Sequence, residues 1–164
     1  MKIIYFFAVT VVFTALSCNS KVNIEEITIK EKNQAISVAA QIADLKKQGF
    51  QIFDYVDEES GDTVIMQEYY MVFLKSGPNR NQTKEEADSL QGLHMAHLGR
   101  MYEEGYADIS GPFGDDGDLR GITIYNVPTL QMADSLAHLD PMVQSGRLAI
   151  EVKPWWAGKG YPLR

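Results

Sequence analysis

The sequence predicts a mixed α+β domain whose strands and helices follow the order β-α-β-β-α-β. Runs of alternating apolar residues, typical of half-buried strands, are interrupted twice by segments with apolar residues at three- and four-residue steps, typical of helices. Clusters of Gly, Pro, Asn and Asp separate these runs. The chain has 164 residues and is 45% hydrophobic, which is enough for one domain with a core and for a leader or an extension.

A helix and a strand are predicted ahead of that order. The segment NQAISVAAQIADLKKQG has apolar residues at helical spacing, lysines in its last turn and a glycine as its stop. FQIFDYV then predicts a strand and EESGD a turn. We interpret residues 33–67 as an extension formed by this helix and strand, and residues 68–158 as the domain itself.

The first strand of the domain lies in the run TVIMQEYYMVFLK, and its first helix follows the loop SGPNRNQ. Thr83 and Glu86 have the spacing of a capping box, in which each side chain bonds the backbone of the other residue. The helix is expected to end at Gly105. Its inward-facing positions recur at helical spacing and comprise Ala87, Leu90, Leu93 or His94, His97 and Met101.

The second half of the domain begins with a predicted hairpin. YADISGPF and GITIYNV predict two strands, and Asp116-Gly117 between them is a hairpin signal. Pro128 precedes a second helix, TLQMADSLAHL, and RLAIEVKPWW predicts the last strand. This order is the split pattern of a ferredoxin-like domain, with an antiparallel sheet and both helices on one face. The alternating apolar residues predict that a second subunit covers the other face, and therefore a homodimer.

The N-terminus, MKIIYFFAVTVVFTALSC, has the pattern of a secretory signal over residues 1–17, with a basic start, an apolar middle and small residues at its end. It is too short to predict a permanent membrane span. ALSC resembles a bacterial lipobox, which would make Cys18 the lipidated first residue of the mature chain. Cys18 is the only cysteine and has no disulfide partner; the alternative is a secreted protein with an unpaired thiol.

The polar residues 18–32 would then be a tether that lifts the domain off the membrane. We expect a protein of the bacterial cell envelope that faces the periplasm or the outside, with membrane contact through the lipid anchor only. The formal net charge of −7 argues against nucleic acid and anionic lipid headgroups as partners.

Two motifs that could suggest a cofactor or a metal have simpler explanations. GPFGDDGDLRG lacks the GK[ST] ending of a phosphate loop and the spacing of a calcium-binding EF-hand. His94 and His97 lie three residues apart and share a helix face, but no HExxH or CxxC spacing supplies further ligands. We therefore expect no metal and no cofactor.

The pair Asp140-Pro141 suggests acid–base chemistry. A carboxylate at a helix end, followed by a rigid proline, is well placed to contact an imidazole elsewhere in the fold. A His–Asp pair can transfer a proton near neutral pH, because the carboxylate orients the ring and stabilises its charged form. The alternative is that Asp140 only caps a helix.

The segments HMAHLGRMYEEGYADISGPF, GITIYNV, HLDPMVQSGRL and EVKPWW resemble the YCII-related domain family, over a stretch from about Tyr69 to Trp156. The resemblance implies a ferredoxin-like fold, pairing into a dimeric α+β barrel, and a His–Asp pair as the proposed active site.

Residue by residue, the resemblance places the family's helix histidine on His94 and its late Asp-Pro on Asp140 and Pro141. The family's Gly-Pro falls on Gly111 and Pro112, which are the expected substrate-binding residues. The remaining histidines, His97 and His138, fall where the family has none, so the resemblance implies no site role for them.

Two functions from different classes follow from the sequence. The first is a small-molecule enzyme with a His–Asp dyad, carrying out isomerase- or lyase-like proton transfer on a small ring or carbonyl compound. The second is a lipid-anchored module that binds a small molecule without converting it. An enzyme would need a group that stabilises developing charge, and Lys75 and Arg120 are the candidates.

Overall fold

The structure, a computed structural model, describes residues 37–161 and 163. The predicted signal peptide, the lipidation site at Cys18 and the predicted tether lie outside the described residues, so they remain predictions. The elements, in chain order, are helix α1 (of which residues 37–47 are described), β1 (Ile52–Val56), β2 (Thr63–Ser76), α2 (Lys84–Glu103), β3 (Ala107–Pro112), β4 (Leu119–Tyr125), α3 (Leu130–Ala137), α4 (Pro141–Gln144) and β5 (Leu148–Gly158).

The five strands form one antiparallel sheet around β2. β5 pairs with one edge of β2, β4 pairs with the other edge, and β3 pairs with the far edge of β4. The order β5-β2-β4-β3, connected through α2 and α3, is ferredoxin-like, which confirms the predicted α+β fold and its βαββαβ order.

The extension strand β1 belongs to the same sheet. It pairs antiparallel with the first part of β2, from Thr63 to Gln67, on the edge that β4 occupies farther along. β2 therefore runs as one strand through the predicted boundary between residues 67 and 68, and the division of the chain at that point remains a prediction.

Helix α2 begins and ends where the sequence predicts. Thr83 Oγ1 accepts a hydrogen bond from the Glu86 amide at 3.2 Å, and Glu86 Oε2 accepts one from the Thr83 amide at 2.8 Å, so the capping box is present. After the helix, Gly105 takes a left-handed φ of 75°. His94 is 7% exposed and Leu93 is 52% exposed, so the histidine occupies the inward-facing position.

The region before β5 contains a helix that the sequence did not predict. α3 ends at Ala137, and a separate short helix α4 starts at Pro141 with Asp140 as its N-cap. Proline suits the first position of a helix because it has no N–H to leave unpaired there. Asp140 therefore begins a new helix, and does not end the preceding one.

The core lies between the sheet and its helices. Alternate residues of β2 face the helices, and these are Tyr70, Val72 and Leu74, which cluster with Met101 of α2 and Tyr125 of β4. The intervening residues lie on the other face of the sheet and include Met71 and Phe73, which are half-buried. In the part of the chain that the structure describes, no helix has the length and apolar character needed to cross a membrane.

Candidate functional site

The two predicted catalytic residues are in contact. His94 Nδ1 lies 2.5 Å from Asp140 Oδ2, although the residues are 46 positions apart in the chain. The contact forms because α2 packs against α4, and Asp140 is the residue that caps α4. Both side chains are buried, with exposed fractions of 7% for His94 and 2% for Asp140.

Asp140 also caps a helix, so the two interpretations left open by the sequence both apply. Its second oxygen, Oδ1, accepts a hydrogen bond from the Met142 amide at 2.9 Å. A buried carboxylate is costly unless its oxygens have partners, and here each oxygen has one. The cap fixes the carboxylate and aims Oδ2 at the imidazole.

The contact also determines which nitrogen of His94 is left for chemistry. An ionised carboxylate can only accept a hydrogen bond, so Nδ1 of His94 carries the proton in the pair. His94 Nε2 makes no hydrogen bond to any described residue. His94 lines a cavity, and Nε2 is the ring nitrogen available to a bound molecule.

This cavity has a volume of about 570 Å³ and lies between α2 and the helix-covered face of the sheet. Its apolar wall includes Leu74, Leu98, Met142 and Leu148. Binding sites for small molecules usually measure roughly 300–1,000 Å³, so the cavity is large enough for a small organic molecule.

The predicted substrate-binding residues, Gly111 and Pro112, lie at the end of β3 and line the cavity. Arg120 also lines it, whereas Lys75 does not. Lys75 lies on the other face of the sheet, where it pairs with Glu151. Of the two candidates for stabilising developing charge, only Arg120 is therefore near His94.

A second glycine of the hairpin, which the sequence argument did not single out, is constrained more tightly than Gly111. A Cβ atom at Gly121 would lie 2.6 Å from the Gly111 carbonyl oxygen, because β3 and β4 approach closely there. A Cβ atom at Gly111 would meet no atom within 4 Å. A glycine inside a strand is a sign of close backbone approach, and this sign was available at Gly121.

His97, one turn from His94, is in a different environment. Its Nδ1 lies 3.1 Å from Arg100 Nη2, and a guanidinium can only donate, so Nδ1 accepts and the proton resides on Nε2. His97 Nε2 is buried and has no partner among the described residues. Burial lowers the pKa of His97, and the neutral ring is the form that its surroundings favour.

His138 forms a second His–Asp pair, but on the surface. Its Nδ1 lies 3.4 Å from Asp134 Oδ2, and both side chains are about half exposed, at 56% and 47%. Within the residues that the structure describes, no group of three or more His, Cys, Asp and Glu side chains is arranged to hold a metal ion.

Comparison with known proteins places this site in a family. The model of the YCII-related domain matches residues 69–156, which are more than half of the chain and contain both His94 and Asp140. No curated protein matches the sequence.

Among solved structures, the chain is similar to the 5-chloro-2-hydroxyhydroquinone dehydrochlorinase (TftG) from Burkholderia phenoliruptrix AC1100, in complex with 2,5-dihydroxybenzoquinone. The sequence identity is 20%, the TM-score is 0.41, and the similarity covers 53% of this chain and 92% of that chain. The family match, which spans the helix histidine, the Gly-Pro and the late Asp-Pro, shows that this chain belongs to the YCII-related domain family.

Proposed function

We propose that this protein is a small-molecule enzyme that transfers protons with the His94–Asp140 dyad, in an isomerase- or lyase-like reaction. One observation carries the proposal: a buried His–Asp contact of 2.5 Å in which the histidine lines a cavity of ligand size. An imidazole can act as base and acid near neutral pH, and a carboxylate on its other nitrogen fixes the tautomer and stabilises the charged ring.

The two residues have separate roles in this reaction. His94 Nε2 removes a proton from a carbon or oxygen of the bound molecule, and the imidazolium returns it at another position or to a leaving group. Asp140 acts through His94: it holds the ring through Nδ1 and does not contact the substrate. Gly111 and Pro112 supply a backbone wall of the cavity that His94 lines.

Solvent exchange tests the proposal without knowledge of the full reaction. The protein is incubated in D2O with a panel of small ketones, keto acids and lactones, and deuterium incorporation is followed by proton NMR. We expect exchange with wild type that falls by about 10²- to 10⁴-fold in His94→Gln, because general acid–base catalysis has that magnitude. His138→Gln, which removes the exposed histidine, is the matched control and should retain full exchange.

A binding module that does not convert its ligand is the alternative outcome of this experiment. In that case compounds of the panel would bind saturably in the cavity, and wild type and His94→Gln would show the same exchange. That result would contradict the enzyme proposal.

We also propose that the protein is a homodimer that pairs through the face of the sheet opposite its helices. Apolar side chains on that face support this, since Phe73 and Ile122 are half-buried and Trp155 is 40% exposed. Light scattering on protein lacking residues 1–20 should give the mass of a dimer, and Phe73→Lys should give a monomer. Tyr102→Lys, which adds the same charge on the exposed side of α2, is the control; a wild-type monomer would contradict the pairing.

Finally, we propose that the mature chain starts at a lipidated Cys18 and is anchored in the bacterial envelope, facing the periplasm or the outside. The apolar leader followed by ALSC supports this. Labelled fatty acid should be incorporated into wild type and lost in Cys18→Ala. Equal labelling of the two proteins would contradict the anchor.

A further inference from the structure

Three arginines surround the cavity that holds His94, and none of them is neutralised there. Arg80, Arg120 and Arg147 all line it. Their hydrogen bonds go to neutral oxygens, and no carboxylate of a described residue lies within 4.0 Å of their guanidinium nitrogens. Asp88 is the one acidic residue among the described lining residues, and its carboxylate pairs with Lys84 at 2.5 Å.

Hydrogen bonds connect the loops that carry two of these arginines. Arg80 donates from Nη1 to the main-chain oxygen of Arg147 at 3.3 Å, and Arg147 donates from Nη1 to Gln82 Oε1 at 2.8 Å. The loop that carries Arg80 is fixed at Gly77, whose amide bonds the Arg147 carbonyl at 2.9 Å. A Cβ atom at Gly77 would lie 2.2 Å from the Gly146 oxygen, so only glycine allows this close approach.

The third arginine reaches the same end of the sheet from the opposite side of β2. Arg120 lies between Leu119, which pairs with Lys75, and Gly121, which pairs with Leu74. Arg147 directly precedes Leu148, which pairs with Ser76 on the other edge of β2. The cations therefore flank one end of the central strand, and Arg120 keeps its place by donating from Nη1 to the Gly117 carbonyl at 3.0 Å.

From this arrangement we infer that the substrate of the site is a small organic oxyanion, with an apolar body beside Leu74 and Met142 and its anionic group held by the arginines. This inference rests on the proposed function only for the reacting group, His94. None of the three guanidinium groups has a carboxylate partner among the described residues, so an anion in the cavity would meet positive charge that the fold has not neutralised. Guanidinium groups bind carboxylate and phosphate oxygens in a two-pronged geometry, and each here has donors to spare.

The same cations would assist the reaction. When His94 removes a proton from a carbon next to an acid or carbonyl group, negative charge grows on the substrate oxygens. Donors that are already oriented toward those oxygens stabilise the transition state more than the ground state. The arginines would thus be both the binding group and the charge-stabilising group that proton transfer requires.

Binding of matched probes to the full-length chain tests the inference. The probes are benzoate, phenyl phosphate and the neutral benzamide, and binding is measured by calorimetry and by NMR shifts of the His94 ring. We expect at least one anion to bind about tenfold or more tighter than benzamide, because hydrogen bonds to charged groups are worth that much. Arg147→Gln and Arg120→Gln should each weaken binding of the anion by about tenfold or more and leave the affinity for benzamide unchanged. Added salt should also weaken binding of the anion, because it screens the attraction between the anion and the arginines.

Lys47→Gln is the control variant, since it removes one positive charge from an exposed position of α1 that does not line the cavity. It should leave anion binding unchanged. A preference for benzoate would assign a carboxylate substrate, and a preference for phenyl phosphate would assign a phosphate. Equal binding of benzamide, insensitivity to both arginine variants, or no binding of either anion at about 10 mM would overturn the inference.

The experiment separates this inference from the proposed function. His94→Gln should still bind the anion, because the arginines remain, while it loses solvent exchange. If the anion binds but no exchange is found, the inference survives and the enzyme proposal fails. If exchange is found only with neutral compounds, the enzyme proposal survives and the inference fails.

Discussion

The two faces of the sheet carry positive charge in different ways. On the open face, Lys75 and Lys153 both pair with the single carboxylate of Glu151. On the helix-covered face, Arg120 and Arg147 line the cavity and bond only neutral oxygens among the described residues. The lysines of the open face have a carboxylate partner within the fold, whereas the arginines beside the cavity, unpaired within the described part of the chain, are the basis of the proposed anionic substrate.

The two His–Asp pairs show the same contrast. His94 and Asp140 are buried and in contact at 2.5 Å, with the ring facing a cavity. His138 and Asp134 lie on the surface at 3.4 Å. The residue types are the same, but burial and the cap on α4 give the first pair one geometry, which proton transfer needs.

Removing the carboxylate should have the largest effect and should distinguish the two pairs. Asp140→Ala removes a helix cap, worth about 1 kcal/mol, and leaves the buried Nδ1–H of His94 without an acceptor, which costs about 1–3 kcal/mol. We therefore expect the free energy of unfolding to fall by roughly 2–4 kcal/mol in urea titrations. Asp134→Ala on the surface should change it by no more than about 0.5 kcal/mol. Equal effects would mean that burial does not distinguish the pairs.

The two glycines of the hairpin should respond differently to the same change. Gly121→Ala forces a methyl group to 2.6 Å from the Gly111 oxygen, so β3 and β4 must separate. The free energy of unfolding should fall by about 1–3 kcal/mol, as for other overpacked sites. Gly111→Ala finds open space and should fold as stably as wild type. Thermal unfolding of both variants checks this, and a destabilised Gly111→Ala would show that the strand end is packed more tightly than described.

The smallest effect is expected on the open face, where the charges are solvated. Ion pairs with Lys153 and Lys75 lower the pKa of Glu151 to about 2. Because the pKa of Glu151 is lower in the folded protein than its ordinary value of 4.5, these ion pairs stabilise the fold at pH values above about 4.5. This stabilisation is lost as the pH falls toward 2. Lys153→Gln should raise the pKa of Glu151 toward its ordinary value, as measured by carbon-13 NMR titration. An unchanged titration would mean that this pair does not persist in solution.

Local patterns predicted much of the fold. The capping box of Thr83 and Glu86, the glycine stop at Gly105 and the alternating strands are signals within a few residues, and the structure has each of them. The choice between Leu93 and His94 for the inward position could not be made from spacing, since neighbouring positions on a helix differ by only 100°. The short helix α4 was missed because four residues carry too little periodicity.

The site was predictable only in part, because its parts come from distant segments. The resemblance to the family pointed to His94 and Asp140. No local sequence pattern indicated that the Asp140 carboxylate would both cap α4 and contact the His94 ring. The roles of Arg80 and Arg147 depend on the close approach of two loops at Gly77, which is a tertiary contact. Lys75 and Arg120 could not be distinguished from the sequence, because only the folded sheet shows that Lys75 lies on the open face and that Arg120 lines the cavity.

The most direct test of the central claim is the NMR titration of the His94 ring in wild type and in Asp140→Asn. The substitution keeps the shape of the side chain and removes its charge, so a contact of 2.5 Å requires the titration curve of His94 to move. His138, paired with Asp134 on the surface, is the internal control and should titrate identically in both proteins. If the His94 curve is also identical in both proteins, the dyad does not exist in solution, and the binding module becomes the better account of this protein.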